Sequence, residues 1–458
     1  MNLAVQLADW LAELRYDDLP PEVTADAAHR VLDTLGVALA AVNLPIGVAV
    51  RRASAALGSG NEATLIGGDR SSAALAALVN GTLAHALDFD DTHAGSVMHP
   101  SAPSCAVALA ACEASGGGGR DLLLDVAAGI ELNCRLGLVA PGAFHAVGQH
   151  PTSVLGSIAA ALVAARRFGL DRHRLAMAAG IAGSQSSGIL EAYSDGSWSK
   201  TLHPGWAAHC GLVAARLAGA GFTGPLSVLD GPYGVFRSHL PAGQELHFEA
   251  ATEALGERWY LLDNSCKLYP CAHAIHAFVE AALVLRQQHH LDPTQIAEGC
   301  LLIPPGFAGQ IAEPRAPKLQ PLTSTHARAS AFFAVAAALI DGHLGLGHYT
   351  DDAIRRIDIL SLAERLSWRP APSETPIRFS GTLRIKLRDG GTFEHSVADA
   401  NGTGARRLDG DAFEAKFRAT AGIALDAPRV DRLVALCRSL ANLDTVTPLL
   451  AATRIATE

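Results

Sequence analysis

Small residues at helical spacing constrain this chain more than any other feature. Behind His150 and Pro151 stand Gly156, Ala159, Ala160, Ala161, Ala164 and Ala165 on one continuous helical pattern reaching Phe168. Small side chains let neighbouring helix backbones approach closely, so the stretch predicts a tightly packed bundle. Apolar segments of helical period recur at 25–40, 71–85 and 102–114, and again at 172–190 and 206–219. The run Gly116 to Gly119 followed by Asp121 reads as a stop and a new start for a helix to about 138. Nearly half of the 458 residues are apolar and 18% are charged, which favours a large, mostly helical core. A chain of this length exceeds a usual single core, so two domains are expected.

The pattern changes after residue 262. The segment 264–276 is polar and dense in reactive side chains, helices are predicted at 277–289 and 325–339, and 300–303 suits a buried strand. Leu383, Ile385 and Leu387 alternate with Arg384, Lys386 and Arg388, and Asp389-Gly390-Gly391 turns the chain into 392–397. That is a hairpin with one wet face. Helical patterns return at 411–421 and 429–440. The fold class is therefore mainly α: an all-α domain over 1–265, an inserted α+β domain over 266–396, and a tail over 397–458 that rejoins the first.

Several classes are disfavoured. A net charge of -9 with no run of Lys or Arg argues against a nucleic-acid face. The N-terminal stretch reads as an amphipathic helix with Leu3, Leu7, Trp10, Leu11 and Leu14 on one side, not as an export signal. The most apolar run, 34–50, is interrupted by Asn43 and Pro45, so no membrane span is expected. Eight scattered cysteines read as reduced, buried thiols, and the expected compartment is the cytoplasm.

Chemistry concentrates between His85 and Ser101, read HALDFDDTHAGSVMHPS. Asp88, Asp90 and Asp91, with His85, His93 and His99 and the hydroxyl of Thr92, interrupt apolar sequence. Buried ionised groups are costly unless paired, so the cluster suggests one wall of an active site. His99 and His150 each stand directly before a proline, which favours an ordered corner, and imidazole both accepts and donates protons near neutrality. Lys200 and Lys267 each precede a Pro-containing turn, from which a loop would aim an ammonium into a cleft, although the ordinary fate of lysine is a solvated surface. Cys266, Cys271, His273 and His276 have the look of metal ligands. Their spacing is unlike familiar zinc hooks, and Lys267 among them would repel a cation.

The order HALDFDDTH and HPS, GQHPTSVLG, SKTLHPGWAAHCG and GFTGP, then CKLYPCAHAIH resembles the MmgE/PrpD family over roughly residues 5–450. That family includes 2-methylcitrate dehydratases, cis-aconitate decarboxylases and iminodisuccinate epimerases. The resemblance implies a large helical domain from both chain ends plus a smaller α+β lid, a homodimer, an active site between the domains, and neither metal nor organic cofactor. It maps catalytic roles onto Asp88, His99, His150, Lys200 and Lys267, and substrate contacts onto Thr92 and His276. A small di- or tricarboxylate is then the expected substrate of a lyase, with dehydration set slightly ahead of decarboxylation. An epimerase of an iminodicarboxylate is the alternative, and a helical scaffold without turnover is the alternative outside enzymes. Asp90 and Asp91 are read as capping a helix or pairing an arginine. One departure stands out: Ala327-Arg328-Ala329-Ser330 with Phe333 occupies a place where family members carry Ala-Lys-Phe-Ser and a tyrosine.

Overall fold

The computed structural model describes residues 2–372 and 378–455, and it is mainly helical. The chain divides into two compact units. The first comprises Met1–Leu190, Ser199–Asn264 and Asp409–Glu458; the second comprises Glu191–Trp198 and Ser265–Leu408.

In the first unit, the Leu3–Glu13 helix buries Leu3, Leu7 and Leu11 on one stripe, as its period requires. The helix Pro21–Ala41 starts on a proline, whose missing N–H costs nothing in a first turn. Among the described residues no single helix is long and apolar enough to cross a membrane; Pro21–Ala41 and Pro45–Leu57 bend by 94° at the break between them. The helix Gly410–Ala421, from the far end of the chain, packs on Pro21–Ala41. A Cβ on Gly36 would stand 2.5 Å from Thr420 Oγ1, and Lys416 pairs with Asp33 at 2.7 Å.

Two close approaches fix the centre of this unit. The helices Ala73–His85 and Ser199–Gly219 meet where Gly81 faces Gly205: a Cβ on Gly205 would lie 2.1 Å from the Leu78 carbonyl oxygen, and one on Gly81 would lie 2.7 Å from Gly205 Cα. On its other side Ser199–Gly219 meets Pro151–Arg167, where a Cβ on Gly211 would stand 2.5 Å from Ala160 Cβ. Only glycine admits backbones this near.

The structure corrects three helix readings. The helix expected at 206–219 begins at Ser199 and runs through Pro204, so Lys200 sits in its first turn and not on a loop. Packing at Gly205 overrides the local preference of the residue before a proline for extended backbone. The helix expected to reach 190 ends at Gly183, and Gly188 then takes a φ of 145°. The helix expected at 325–339 is two, Ser324–Arg328 and Ala331–Asp341, because Ser330 breaks the pattern and caps the second by accepting from Phe333 N.

The second unit is built on a four-stranded sheet in the order Leu366–Pro370, Ile296–Ile303, Gly381–Leu387, Thr392–Val397, parallel between the first two and antiparallel elsewhere. Leu383 and Ile385 are buried, while Arg384 and Lys386 face solvent. The Leu366–Pro370 strand escapes the sequence reading because it is a mostly exposed edge ending in proline, with no apolar alternation. The helix His276–His289 packs on the hairpin, and Phe278 fills the space a side chain at Gly381 would need. Residues 398–408 stay with this unit, where Cys266 N donates to the Gly402 carbonyl at 3.0 Å.

Candidate active site

The acid and histidine cluster lies in the first unit, in the segment joining Ala73–His85 to Ser101–Ser115. Its path is set by buried pairs. Asp91 accepts from Ser101 N at 3.0 Å and Ser101 Oγ at 2.5 Å, capping the second helix, and lies 3.7 Å from Arg30 Nη1. Burial raises the Asp91 carboxyl to about 6 against the pull of Arg30. Lys416 donates to the Phe89 carbonyl at 2.8 Å. His93 pairs with Met98 across a tight turn, and its Nδ1 accepts from Ser96 N at 3.1 Å. Asp88 is held at a φ of 48°, a left-handed conformation that aspartate tolerates better than most residues. Strained backbone of this kind concentrates at functional sites.

From this segment a continuous chain of side chains runs to the neighbouring helix. Asp90 grips His85 Nδ1 with both carboxylate oxygens, at 2.8 and 3.0 Å, and Lys200 Nζ lies 2.9 Å from His85 Nε2. A carboxylate can only accept, so Nδ1 carries the proton and Nε2 offers its lone pair to the lysine. Burial is the first cause pushing the His85 imidazole below its ordinary value, with the Lys200 charge acting the same way and Asp90 opposing. On balance these causes favour the neutral ring. Lys200 Nζ also stands 4.0 Å from Asp88 Oδ1. The geometry follows from the glycine contact: His85 is one turn beyond Gly81 and Lys200 just over one turn before Gly205, so the touching backbones carry the two side chains together.

His99 and His150 complete the group. His99 N donates to Thr152 Oγ1 at 3.0 Å, and His99 Nδ1 donates to the Asp91 carbonyl at 2.8 Å, with Thr92 Oγ1 at 3.3 Å. In the neutral ring the basic nitrogen is then Nε2. His150 takes extended backbone, as expected before Pro151, and its N–H donates to the Gly188 carbonyl at 2.8 Å. Its Nδ1 meets His203 Nδ1 at 2.8 Å, and its Nε2 is buried with no hydrogen-bond partner among the described residues. Burial, then the Lys200 charge, holds His150 well below the usual imidazole range, and the same causes bring His203 to about 3. Ring centroids of His85 and His99 are 4.8 Å apart, and each lies 5.9 Å from His150. Four imidazoles and one ammonium thus share a small buried volume.

His85, His99 and His150 can each offer one ligand atom within 4.8 Å of the others, as can His85, Asp88, Asp90 and His99. A cation there would confront the Lys200 ammonium already seated on His85 Nε2, so the donors suit proton transfer better than a metal. In the second unit, His273 lies flat on Phe379 at 4.1 Å, and His276 stands against His273 at 4.5 Å and Tyr269 at 5.1 Å. His273 and Phe379 stack, whereas His276 meets His273 at a tilt and Tyr269 edge-on.

Of the residues singled out from the sequence, Asp88, Thr92, His99, His150 and Lys200 lie together in the first unit, whereas Lys267 and His276 belong to the second, both fully buried. His203 was passed over and His85, although read as part of the cluster, was given no role of its own; both are central. The available signal for His85 was its place one turn after a glycine inside an apolar helix. In the second unit Lys318 is buried too, donating to the carbonyls of Gln310 at 2.6 Å and Ala329 at 2.9 Å, and burial lowers it to about 8. Phe333 packs 5.8 Å from the ring of Tyr349, over which Arg328 stands at 5.0 Å.

A mainly helical chain whose core holds carboxylate, imidazole and ammonium in hydrogen-bond series is of the class that keeps protons at defined atoms. Its N-terminal part, residues 5–247, matches the MmgE/PrpD N-terminal domain, and residues 269–440 match the MmgE/PrpD C-terminal domain. The chain belongs to the MmgE/PrpD family. It is 28% identical over 471 residues to the cis-aconitate decarboxylase-like protein oryM of Aspergillus oryzae, covering 98% of this chain and 97% of that one. It is 25% identical over 470 residues to a cis-aconitate decarboxylase of Aspergillus terreus, with 98% and 95% coverage. It is 28% identical over 452 residues to the human cis-aconitate decarboxylase, with 94% and 90% coverage.

Proposed function

We propose that this protein is a lyase acting on a small di- or tricarboxylate, and that decarboxylation of a cis-aconitate-like substrate is its reaction. The observation that carries this reading is the buried meeting of Lys200 with His85, close to His150, whose Nε2 has no hydrogen-bond partner among the described residues. In such a reaction the bond to a carboxylate carbon breaks, carbon dioxide leaves, and the electron pair left on carbon takes a proton from a positioned acid. An ammonium holds the substrate carboxylate and offsets developing charge, and an imidazole relays the proton. His99, with its proton on Nδ1 and Nε2 basic, fits the second task. The near full-length likeness to cis-aconitate decarboxylases supports the choice of reaction.

A second reading is dehydration of a hydroxytricarboxylate such as 2-methylcitrate. It is favoured by Phe333, which removes a phenol where relatives of this family can carry one. Proton NMR in deuterated water with citrate, 2-methylcitrate, cis-aconitate and iminodisuccinate separates the readings. We expect cis-aconitate to lose carbon dioxide and gain one deuteron at carbon. Elimination from 2-methylcitrate alone would favour the second reading, bare exchange on iminodisuccinate would make the protein an epimerase, and silence with all four would end the lyase proposal.

A further inference from the structure

We propose that His203 is a positioning residue for His150. Its Nδ1–H donates to His150 Nδ1 and so keeps the hydrogen of His150 on Nε2, where the neutral ring donates to a substrate carboxylate. The inference deepens the proposed function, and its choice between two tautomers rests on that reading. The two Nδ1 atoms are 2.8 Å apart, with ring centroids at 5.0 Å. A contact this short between imidazole nitrogens holds one hydrogen, so one ring donates and the other accepts on a bare nitrogen. At least one ring is therefore neutral on geometry alone, and burial, then the Lys200 charge, favours neutrality in both.

Two neutral rings carry two hydrogens on four nitrogens. One hydrogen lies between the Nδ1 atoms, and the other must sit on one of the two Nε2 atoms. Those two ends differ in their surroundings. His203 Nε2 lies against Gly188, where a Cβ would stand 3.4 Å away, and that glycine is half-buried. His150 is fully buried, and its Nε2 has no hydrogen-bond partner among the described residues. A buried polar atom that the protein leaves without a partner is one that a ligand can complete. The ligand proposed above is a polycarboxylate, whose carboxylate oxygens can only accept. The nitrogen that meets it must carry the hydrogen, which puts the second hydrogen on His150 Nε2 and makes His203 Nδ1 the donor of the shared one.

A neutral donor suits the proposed reaction. As carbon dioxide leaves, negative charge spreads onto the oxygens of a neighbouring carboxylate, and a fixed N–H aimed at them stabilises that charge without reorganising. The Nε2–H bond stays intact throughout. The local fold holds the pair in register. Lys200 and His203 stand at i and i+3 on the helix Ser199–Gly219, so one helix face carries both. Ser153 Oγ donates to the His203 carbonyl at 3.4 Å, and His150 N donates to the Gly188 carbonyl at 2.8 Å.

The test is ring-nitrogen 15N NMR of the full chain labelled in histidine, at pH ~8.5, above the ordinary imidazole range. Signals of the two rings are assigned by their loss in His150→Gln and His203→Asn, and protonated and bare nitrogens resonate far apart. We expect hydrogens on His150 Nε2 and His203 Nδ1, and bare nitrogens at His150 Nδ1 and His203 Nε2. His203→Asn and His203→Asp introduce side chains of nearly equal size, yet asparagine can set an N–H against His150 Nδ1 and ionised aspartate only an acceptor. In His203→Asp the hydrogen of His150 should move to Nδ1, and kcat on cis-aconitate should fall about a hundredfold with a smaller change in KM. His203→Asn should recover about tenfold of that loss or more. A bare His150 Nε2 in the unaltered protein overturns the assignment without any variant. An Nε2 hydrogen unmoved in His203→Asp, or equal kcat in the two variants, overturns it as well. If no polycarboxylate is turned over while the spectra come out as expected, the lyase reading falls and the tautomer assignment stands.

Discussion

Two buried lysines, one in each unit, show how the same side chain is put to different ends. Lys318 donates to two backbone carbonyls, which have no proton to exchange and never change charge. Lys200 meets an imidazole that is itself held by a carboxylate. Both are desolvated, yet only Lys200 has a titratable neighbour at hydrogen-bond distance. Burial alone therefore does not mark a functional lysine. On the proposed function, the groups that receive the N–H separate Lys200 from Lys318.

Replacing each with methionine is the strongest way to break this contrast. Lys200→Met should lower kcat/KM about a thousandfold, on the order of 4 kcal/mol of transition-state stabilisation. Lys318→Met should keep turnover of the folded protein within about threefold in steady-state assays. Equal losses would erase the distinction.

The next largest effect is on assembly. Gly205→Ala places a methyl 2.1 Å from the Leu78 carbonyl oxygen and 2.5 Å from Thr82 Oγ1, so backbone must move, at about 3 kcal/mol. Thermal melting should drop by several degrees, and Lys200 should separate from His85, so turnover of the remaining folded protein should fall as well. A fully active Gly205→Ala would detach the helix crossing from the site.

Acid should distinguish the units more gently. His93 and His145 are held at about 4 and His203 at about 3, chiefly by burial, against ~6.5 when unfolded. Within that window the unfolded chain binds more protons, so stability present above pH ~6.5 is lost as pH falls toward 4. Asp91, raised to about 6, opposes this because its folded form takes a proton first. His85 and His150 add to the majority. Hydrogen exchange between pH 7 and 4.5 should show protection fading in the first unit before the second. The smallest change expected is in stability of Lys318→Met, about 1 kcal/mol by urea titration, since lost hydrogen bonds are offset by a removed buried charge.

Much of the fold was legible because it rests on period. The alternation of Leu383 and Ile385 with charged neighbours specified a one-sided strand, and the Gly116–Gly119 run announced a helix end. Misreadings came where distant contacts outweighed local preference: Pro204 is carried inside a helix because Gly205 is pinned against Leu78 and Thr82. In the candidate site, His99, His150 and Lys200 were singled out by residue type and motif. His203 was not, because it was read in the Pro-containing turn ahead of the helix expected from 206, and only the helix that starts at Ser199 brings its ring to His150. His85 was read as part of the cluster but given no role of its own, because its partners stand at positions 90 and 200.

By itself the sequence determined which segments become helices, where a wet-faced hairpin forms, and that acids and imidazoles crowd one apolar stretch, since period and composition are local properties. Tertiary structure alone decided which imidazole accepts a hydrogen bond from Lys200. That choice depends on two glycines 124 positions apart letting two backbones touch, and no local pattern records which pair of helices will meet.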